Sequence, residues 1–242
     1  MIIVNNPAAS ANRNPNTIIN GNPTINQRGY VSGTATSAAN QYTLDRWRVV
    51  VSGQSISWTD SNNVRTVTAP AGGVEQVIEG GNLLTGTYTL SWTGTATATV
   101  AGASVANGGS VSITGGTDTT VRFSSGTFSL VQFEQGTAAT PFQLRPIGEE
   151  LILCQRYYFT RSYAITVTRS SAASQFWSII FPVQMRATPT TTYSGFVDND
   201  SSGATGMSFS SLSSSGATGF TVSGTTTAGA RLVVNTFNTA EL

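Results

Sequence analysis

The run Gly86-Thr87-Tyr88-Thr89-Leu90-Ser91-Trp92-Thr93 decides the fold class of this chain. Large apolar side chains at Tyr88, Leu90 and Trp92 alternate with hydroxyl-bearing residues. In an extended strand, successive side chains point to opposite faces, so the three large residues share one face and the hydroxyl residues the other. The run therefore predicts a β-strand with one buried face.

The same alternation recurs on both sides of this run. The predicted inward-facing residues are Trp47, Val49 and Val51, then Val121 and Phe123, then Val131 and Phe133. Glycine turns, such as Asn107-Gly108-Gly109 and Thr114-Gly115-Gly116, separate the runs and supply the positive φ angles that hairpins need. The pattern predicts an all-β protein with a β-sandwich over residues 29–147, preceded by an N-terminal arm over residues 1–28.

The pattern changes over residues 148–159, where good helix formers gather and glycine disappears after the first position. Pro146 lies just ahead, and two glutamates occupy the first turn, where the helix dipole favours negative charge. Leu151, Cys154 and Tyr158 recur at three- and four-residue spacing. We predict a short α-helix that links two domains and packs this stripe against the sheets.

Strand-forming sequence returns after the helix, which predicts a small β-domain over residues 160–242. The predicted strands lie in 163–167, 176–181 and 232–234. The hexapeptide Ser201-Ser202-Gly203-Ala204-Thr205-Gly206 recurs at 214–219. The triplets Met207-Ser208-Phe209 and Phe220-Thr221-Val222 follow the two copies, so the repeat predicts a turn and a strand twice over, as in a β-meander.

Composition excludes several kinds of partner. Only 10% of the residues are charged, all twelve basic residues are scattered arginines, and the net charge is +1. Nucleic-acid binding requires a cluster of cations, so we expect no nucleic-acid partner. No apolar run approaches the roughly 20 residues that cross a bilayer, so we expect no membrane insertion.

The start of the sequence and its one cysteine bear on location and stability. Met1-Ile2-Ile3-Val4-Asn5-Asn6 lacks the cationic and apolar regions of a signal peptide, so we expect assembly in the cytoplasm. Cys154 cannot form an internal disulfide, and its place on the apolar side of the predicted helix favours a small buried hydrophobe over a nucleophile. Stability must come from packing or oligomerisation.

The absence of histidine and lysine removes most enzymatic arrangements. Ser-His and Cys-His nucleophiles, imidazole metal sites, Schiff-base chemistry and phosphate-loop lysines are all unavailable. Paired carboxylates could still support glycoside hydrolysis. The candidate pairs are Glu75 with Glu79, Glu149 with Glu150, and Asp198 with Asp200. We favour surface charge, helix-dipole complement and turn former, respectively, and predict neither enzymatic activity nor a cofactor, with a sugar-cleaving spike as an outside alternative.

Two further motifs are open to a binding interpretation. Asp198-Asn199-Asp200-Ser201-Ser202-Gly203 matches the first half of a calcium loop, but Phe209 occupies the twelfth position, where a bidentate glutamate belongs. We favour a turn that uses Asp and Asn side chains and predict no metal site. Trp58, beside Asp60, Asn62 and Asn63 in a predicted loop, is the best candidate for an exposed sugar-stacking ring, although burial in the core or an interface is the favoured interpretation.

Several segments carry a resemblance to known proteins. They are Ile18-Ile19-Asn20-Gly21-Asn22-Pro23-Thr24-Ile25-Asn26-Gln27-Arg28-Gly29, then Thr43-Leu44-Asp45-Arg46-Trp47-Arg48, then Val131-Gln132-Phe133-Glu134-Gln135-Gly136 continuing through Ala139-Thr140-Pro141-Phe142, Arg145-Pro146 and Glu149-Glu150-Leu151 to Cys154-Gln155-Arg156-Tyr157-Tyr158. Pro182-Val183-Gln184-Met185-Arg186-Ala187-Thr188-Pro189-Thr190 and the closing Ala240-Glu241-Leu242 belong to the same set.

Together these segments resemble a recurrent family of bacteriophage virion proteins, many of them tail fibres, with a carbohydrate-binding-module-like jelly roll ahead of a short helix and a small C-terminal β-domain. The resemblance spans most of the chain. It implies a jelly roll over residues 29–147, a place on the virion surface and a trimer, and it implies no enzymatic residues. The sequence has no coiled-coil heptads, collagen-like repeats or long β-helical shaft, which argues against a full-length fibre.

Two roles on the virion surface remain open. The first is a short tail fibre or receptor-binding subunit that contacts a host glycan or pilus. The second is a trimeric decoration protein, such as a cement or head-fibre protein, that clamps other virion proteins together. In both cases we expect a homotrimer along the helix and the C-terminal domain, because the helix is apolar on more than one face and the run 176–181 is apolar on both faces.

Overall fold

The computed structural model describes residues 16–167, 179–198, 204–224 and 230–242. These residues form two compact units, each described separately below. Unit 1 contains residues 16–24, 31–43 and 47–144. Unit 2 contains 25–30, 44–46 and the described part of 145–242. Two short segments from the first fifth of the chain therefore belong to unit 2, which the predicted consecutive boundaries at 28/29 and 147/148 did not anticipate.

Unit 1 is a sandwich of two antiparallel sheets. Its strands are β1 (Gln41–Tyr42), β2 (Arg48–Val49), β3 (Ser57–Ser61), β4 (Val64–Ala69), β5 (Val74–Ile78), β6 (Gly86–Thr93), β7 (Thr97–Val100), β8 (Ala103–Val105), β9 (Gly109–Ile113), β10 (Thr119–Ser124) and β11 (Gly126–Gln135). One sheet has the order β1-β2-β5-β10-β7-β8 and the other β3-β4-β11-β6-β9. The predicted all-β class is confirmed.

The strand pairing is that of a jelly roll. Strand β4 pairs with β11, β5 with β10, β6 with β9 and β7 with β8, all antiparallel. These pairs describe one long hairpin whose successive pairs fall alternately in the two sheets. Rolling up a hairpin in this way gives the eight-stranded, double Greek-key jelly roll. The resemblance therefore predicted the topology of this unit correctly.

The core of unit 1 consists of the alternating apolar residues. Strand β6 spans the predicted run, and Tyr88, Leu90 and Trp92 are buried. Tyr88 stacks on Phe133 of β11, with ring centroids 5.1 Å apart. Val51 differs from the prediction: it is 43% exposed, because β2 ends at Val49 and the chain turns away before it reaches Val51. The other predicted inward-facing residues are buried.

Unit 2 contains the helix that the sequence predicted, with a different end. The helix α1 spans Ile147–Gln155, and its first turn carries Glu149 and Glu150 as expected. The chain then turns, with the amide of Tyr157 donating to the carbonyl of Cys154. Tyr158 already lies in β12, because aromatic residues favour an extended backbone and this one pairs with a strand. The predicted helix over 148–159, with Tyr158 in its stripe, is therefore too long at its C-terminal end.

Two three-stranded sheets complete unit 2. Their strands are β12 (Tyr158–Val167), β13 (Ile179–Ile180), β14 (Thr190–Asp198), β15 (Ala204–Ser213), β16 (Gly216–Gly224) and β17 (Ala230–Thr239). The sheet orders are β12-β17-β14 and β13-β16-β15. The predicted runs 163–167 and 232–234 are confirmed as strand. Of the predicted run 176–181, the first three residues lie outside the described chain, and Ile179–Ile180 forms β13.

The internal repeat forms a hairpin. Strands β15 and β16 pair antiparallel, and the two triplets face each other across the ladder, with Met207 opposite Val222 and Phe209 opposite Phe220. The two copies of the repeat therefore form neighbouring strands, as predicted. The next strand, β17, pairs in the other sheet, so the meander ends after two strands.

Candidate functional site

Glu75 is the buried acid of the six-stranded sheet. It lies on β5 between Arg48 of β2 and Arg122 of β10. The Arg48 Nη2 atom is 2.7 Å from Oε1, and the Arg122 Nε atom is 2.7 Å from Oε2. The prediction that Glu75 is a solvated surface charge is wrong, because two flanking arginines neutralise it inside the sheet. Both oxygens are engaged, and the ion pairs connect three neighbouring strands.

The other predicted carboxylate pairs occupy two different settings. Glu149 and Glu150 lie in the first turn of α1, and Glu150 forms an ion pair with Arg145. Asp198 ends β14, whereas residues 199–203 of the predicted calcium-like turn, including Asp200, lie outside the described chain. Over the residues that the structure does describe, no group of three or more histidine, cysteine or acidic side chains could hold a metal ion.

Trp58 lies on a strand, where the sequence predicted a loop. Asn62 and Asn63 form the two-residue turn between β3 and β4, with φ angles of 50° and 61° that suit a type I′ hairpin. Trp58 is half-buried on β3, and the guanidinium of Arg65 lies 4.6 Å from the centroid of its ring. Asp60 holds Arg65 with two hydrogen bonds of 2.8 Å. One face of the ring is therefore covered by a fixed cation.

A cleft in unit 1 brings together residues that the sequence did not single out as a site. It has a volume of about 390 Å³ and lies where the end of β6 meets β7 and β8. Its buried residues are Trp92, Ala96, Ala98 and Val105, and its exposed residues are Gly94, Thr95, Thr97, Ser104, Ala106 and Asn107. Apolar side chains thus line the inner part, polar groups surround the mouth, and no lining residue carries a charge.

Trp92 links this cleft to the core of the sandwich. Its backbone amide donates to Asn107 Oδ1 (3.1 Å), and the Asn107 amide group donates to the Trp92 carbonyl (2.7 Å). The indole packs edge-on against Phe123, with ring centroids 5.3 Å apart. Trp92 is only 8% exposed, and its Nε1–H group has no acceptor within the described residues. A buried donor without an acceptor is costly, so this indole N–H group is an unfavourable feature of the core.

A buried ionic cluster dominates unit 2. Arg28 contacts two carboxylates, Glu241 at 2.9 Å and Asp45 at 3.4 Å. Arg46 forms an ion pair with the other oxygen of Glu241. The guanidinium of Arg28 lies 3.7 Å from the ring centroid of Tyr158. Cations stacked on aromatic rings and shared between carboxylates make a rigid local arrangement.

Hydrogen bonds and burial complete the cluster. Gln27 donates to Asp45 from its backbone amide (3.1 Å) and from its side chain (2.6 Å). Burial raises the pKa of Asp45, whereas the hydrogen bonds from Gln27 and the charge of Arg28 lower it. Burial is the largest of these effects, so the pKa of Asp45 lies above its ordinary value. Burial likewise raises the pKa of the Cys154 thiol well above its usual range. Cys154 is a free and buried side chain, and the predicted burial is confirmed.

The segments that carry the family resemblance meet in this cluster. Gln27 and Arg28 come from the first segment, Asp45 and Arg46 from the second, and Glu241 from the last. Sequence reasoning quoted these residues but assigned them no contact. The available signal was that arginine and acidic residues, which are rare in this chain, are concentrated in those segments. These five residues therefore have a structural role in unit 2, whereas other parts of the quoted segments, such as 131–142, belong to unit 1.

Comparison with protein-family models, curated proteins and solved structures finds no match. Among the helical residues that the structure describes, no segment has the length and apolar character of a membrane-spanning helix.

Proposed function

We propose that this protein is a non-enzymatic structural protein on the surface of a bacteriophage particle, acting as a short tail fibre or host-adhesion subunit. The observation that carries the adhesion role is the uncharged cleft beside Trp92, on a jelly roll whose own fold leaves it open. A concave site that combines apolar side chains with polar groups is a common form of small-ligand site. The family resemblance supplies the phage setting.

The engagement of the acidic side chains supports a role without catalysis. A glycosidase needs one carboxyl group free to donate a proton and another free to attack or activate water. In the described residues, Glu75 is held by two arginines and Asp60 by Arg65. Glu134 accepts hydrogen bonds from Gln132 and from Thr140. These carboxylates serve the fold.

Exposed apolar residues on unit 2 support a homotrimer. Ile147 and Ile152 of α1 are 66% and 51% exposed in the single chain, and Ile180 of β13 is 79% exposed. Large apolar side chains on the surface favour burial against a partner. Closed symmetry makes further copies of the same chain the simplest partners. The family resemblance supplies the number three. The virion context adds other structural proteins of the particle as neighbours.

Capsid decoration is the alternative that the compactness of each unit favours. Both units are compact, and the sequence contains no repeat that would build a shaft. A compact trimer with exposed apolar residues suits a subunit that clamps neighbouring capsid proteins. The same trimer would then stabilise the particle and would not contact the host.

Deletion of the gene from the encoding phage separates the two roles. Under adhesion, particles that lack the protein assemble but adsorb poorly to host cells, and adding the protein back restores adsorption. Under decoration, the deleted particles adsorb normally but release their genome at a lower temperature than the wild type. Particles that match the wild type in both properties would contradict both roles. Release of reducing ends from host capsule or lipopolysaccharide by the purified protein would contradict the non-enzymatic part.

A further inference from the structure

We propose that a cavity on the outer face of the six-stranded sheet of unit 1 binds a small phosphate ester, with Arg122 and neighbouring hydroxyl groups holding the phosphate. The cavity has a volume of about 390 Å³, and its lining consists of Thr99, Ala101, Gly102, Thr120, Arg122 and Ser124. This inference goes beyond the proposed function, because it is argued from unit 1 alone and needs neither the virion setting nor the cleft beside Trp92.

The strand register of β7 and β10 brings the polar side chains of the cavity together. The residues of β10 that alternate with its buried core residues share the outer face of the sheet, and they are Thr120, Arg122 and Ser124. Thr99 of β7 lies directly opposite Arg122 in the antiparallel ladder. Three hydroxyl-bearing residues therefore flank the arginine, one on each side along its own strand and one on the neighbouring strand.

Arg122 is held in place along one edge of its guanidinium group. Its Nε atom lies 2.7 Å and its Nη2 atom 2.6 Å from the same oxygen, Oε2 of Glu75. Its aliphatic stem passes over Gly73, where a Cβ atom would lie 2.8 Å from the Arg122 Cδ atom. Within the described residues, the Nη1 atom donates to no group. The side chain is 40% exposed, so a molecule in the cavity can reach this pre-positioned donor edge.

The charges around Glu75 favour an anion in the cavity. Glu75 also pairs with Arg48, whose Nη2 atom lies 2.7 Å from Oε1. Two guanidinium groups around one carboxylate leave one positive charge in excess, and none of the residues that line the cavity is acidic. An anion that displaces water from Arg122 gains charge-assisted hydrogen bonds, which are stronger than those between neutral groups.

The hydroxyl groups favour phosphate over a carboxylate. The side-chain hydroxyls of Thr99, Thr120 and Ser124 form no hydrogen bond with the part of the chain that the structure describes. A phosphate group offers three acceptor oxygens that point in different directions. Donors that flank a guanidinium group on three sides match that geometry, whereas the two oxygens of a planar carboxylate can engage fewer of them.

The size of the cavity favours an ester over the free ion. About 390 Å³ lies within the range of sites that hold small organic molecules. A phosphate group bound at Arg122 leaves space beside the turn formed by Ala101 and Gly102, and the group that carries the phosphate can occupy it. Nucleic acids bind through many phosphate contacts, and one arginine supplies too few. The cavity therefore fits a small phosphate ester.

NMR of ¹⁵N-labelled protein tests this site through the Arg122 Nε–H signal and the Gly102 amide signal. The probes are glycerol 3-phosphate, inorganic phosphate and acetate, each at the same ionic strength, with sodium chloride as the reference for charge screening. We expect glycerol 3-phosphate to shift both signals saturably. Inorganic phosphate should bind about threefold more weakly, and acetate at least about tenfold more weakly.

Two variants of Ala101 test whether the cavity is the binding site. Ala101→Asp places a carboxylate at the exposed rim, and Ala101→Asn places a neutral group of the same size there. Ala101 has a φ of +49°, which asparagine and aspartate adopt more readily than alanine, so both variants should fold. We expect Ala101→Asp to weaken binding of glycerol 3-phosphate by about tenfold or more, and Ala101→Asn to leave it within about twofold.

A second pair of variants tests the hydroxyl groups. Thr99→Val removes one hydroxyl and keeps the branched shape, whereas Thr59→Val makes the same change at an exposed position of β3 in the other sheet. Loss of one hydrogen bond to the phosphate should weaken binding about threefold or more in Thr99→Val. Thr59→Val should bind as wild type does.

Several results would overturn the inference. They are the absence of a saturable shift with both phosphate probes, acetate binding as tight as that of glycerol 3-phosphate, and equal binding by the two Ala101 variants. Inorganic phosphate that binds as tightly as glycerol 3-phosphate would contradict the ester, and wild-type affinity in Thr99→Val would contradict the role of the hydroxyls. The gene-deletion experiment is independent of these measurements, so either proposal can fail without the other.

Discussion

Asp45 shows how a single buried residue can make the stability of the protein depend on pH. Its carboxyl group is buried in unit 2 beside Gln27, Arg28 and Glu241. Burial raises its folded-state pKa above the ordinary value of 3.8. In the pH window above 3.8 the folded chain therefore holds a proton that the unfolded chain has lost. The contribution of this group is largest below its ordinary pKa and declines as the pH rises through the folded-state pKa.

The Asp45→Asn variant tests this dependence. The amide resembles the protonated acid and cannot ionise. We therefore expect the variant to become more stable relative to wild type as the pH rises, which means that its free energy of unfolding minus that of wild type increases. Urea unfolding from about pH 3 to pH 7 measures the difference. Asp60→Asn is the control of opposite sign, because Arg65 lowers the pKa of Asp60. A constant or reversed difference for Asp45 would contradict the account.

The acidic residues also mark the limit of the sequence prediction at this scale. Glu75 was predicted as surface charge from its type alone, because acidic side chains are rarely buried. Its burial depends on Arg48 and Arg122, which reach it only when β2 and β10 flank β5. No local pattern contains that information. The same holds for the orphan indole of Trp92, which the sequence correctly placed in the core but not beside a cleft.

At the scale of elements, the sequence patterns predicted which segments form strands and the helix better than they predicted where the helix ends. Strand β6 matches the predicted run at both ends, since glycine and threonine residues bound it. Helix α1 ends before Tyr158 because pairing of β12 with β17 competes for the same residues. The pairing partner lies about 80 residues away in sequence, so a local pattern could not reveal it.

Gly126 provides a test of one connection between elements. It begins β11 with a φ of +125°, which only glycine adopts readily, and a Cβ there would lie 2.8 Å from the Ala96 amide nitrogen. We expect Gly126→Ala to lower the unfolding free energy by about 2 kcal/mol or more. Gly81→Ala is the control, because nothing lies within 4 Å of its Cβ position, and we expect a change within about 0.5 kcal/mol. Equal stability of the two variants would contradict the positive φ angle and the close backbone contact described at Gly126.

At the scale of the whole molecule, the class and the jelly-roll topology were predictable, while the division into units was not. The resemblance supplied the topology, and the strand pairs confirm it. The predicted boundaries followed the chain in order. Residues 25–30 and 44–46 instead belong to unit 2, where Arg28, Asp45 and Arg46 join the ionic cluster. The assignment of these two short segments to unit 2 depends on contacts with residues that are distant in sequence, which a local sequence pattern does not reveal.

The proposed homotrimer predicts a particular response to one substitution. Ile180 is 79% exposed in the single chain, and a charge there would prevent its burial against a neighbouring copy. We expect light scattering to give three times the chain mass for wild type and a lower mass for Ile180→Asp. Leu84→Asp changes a similarly exposed residue of unit 1, at 70%, and should leave the mass unchanged. A wild-type mass of one chain at micromolar concentration would contradict the trimer.

The central claim, a place on the outside of a phage particle, is tested most directly by electron microscopy of intact particles of the encoding phage with a labelled antibody against this protein. The account predicts label on the particles, over the tail if the protein serves adhesion and over the head if it serves decoration. Particles that lack the gene provide the control and should remain unlabelled. Intact wild-type particles that carry no more label than this control would contradict the claim.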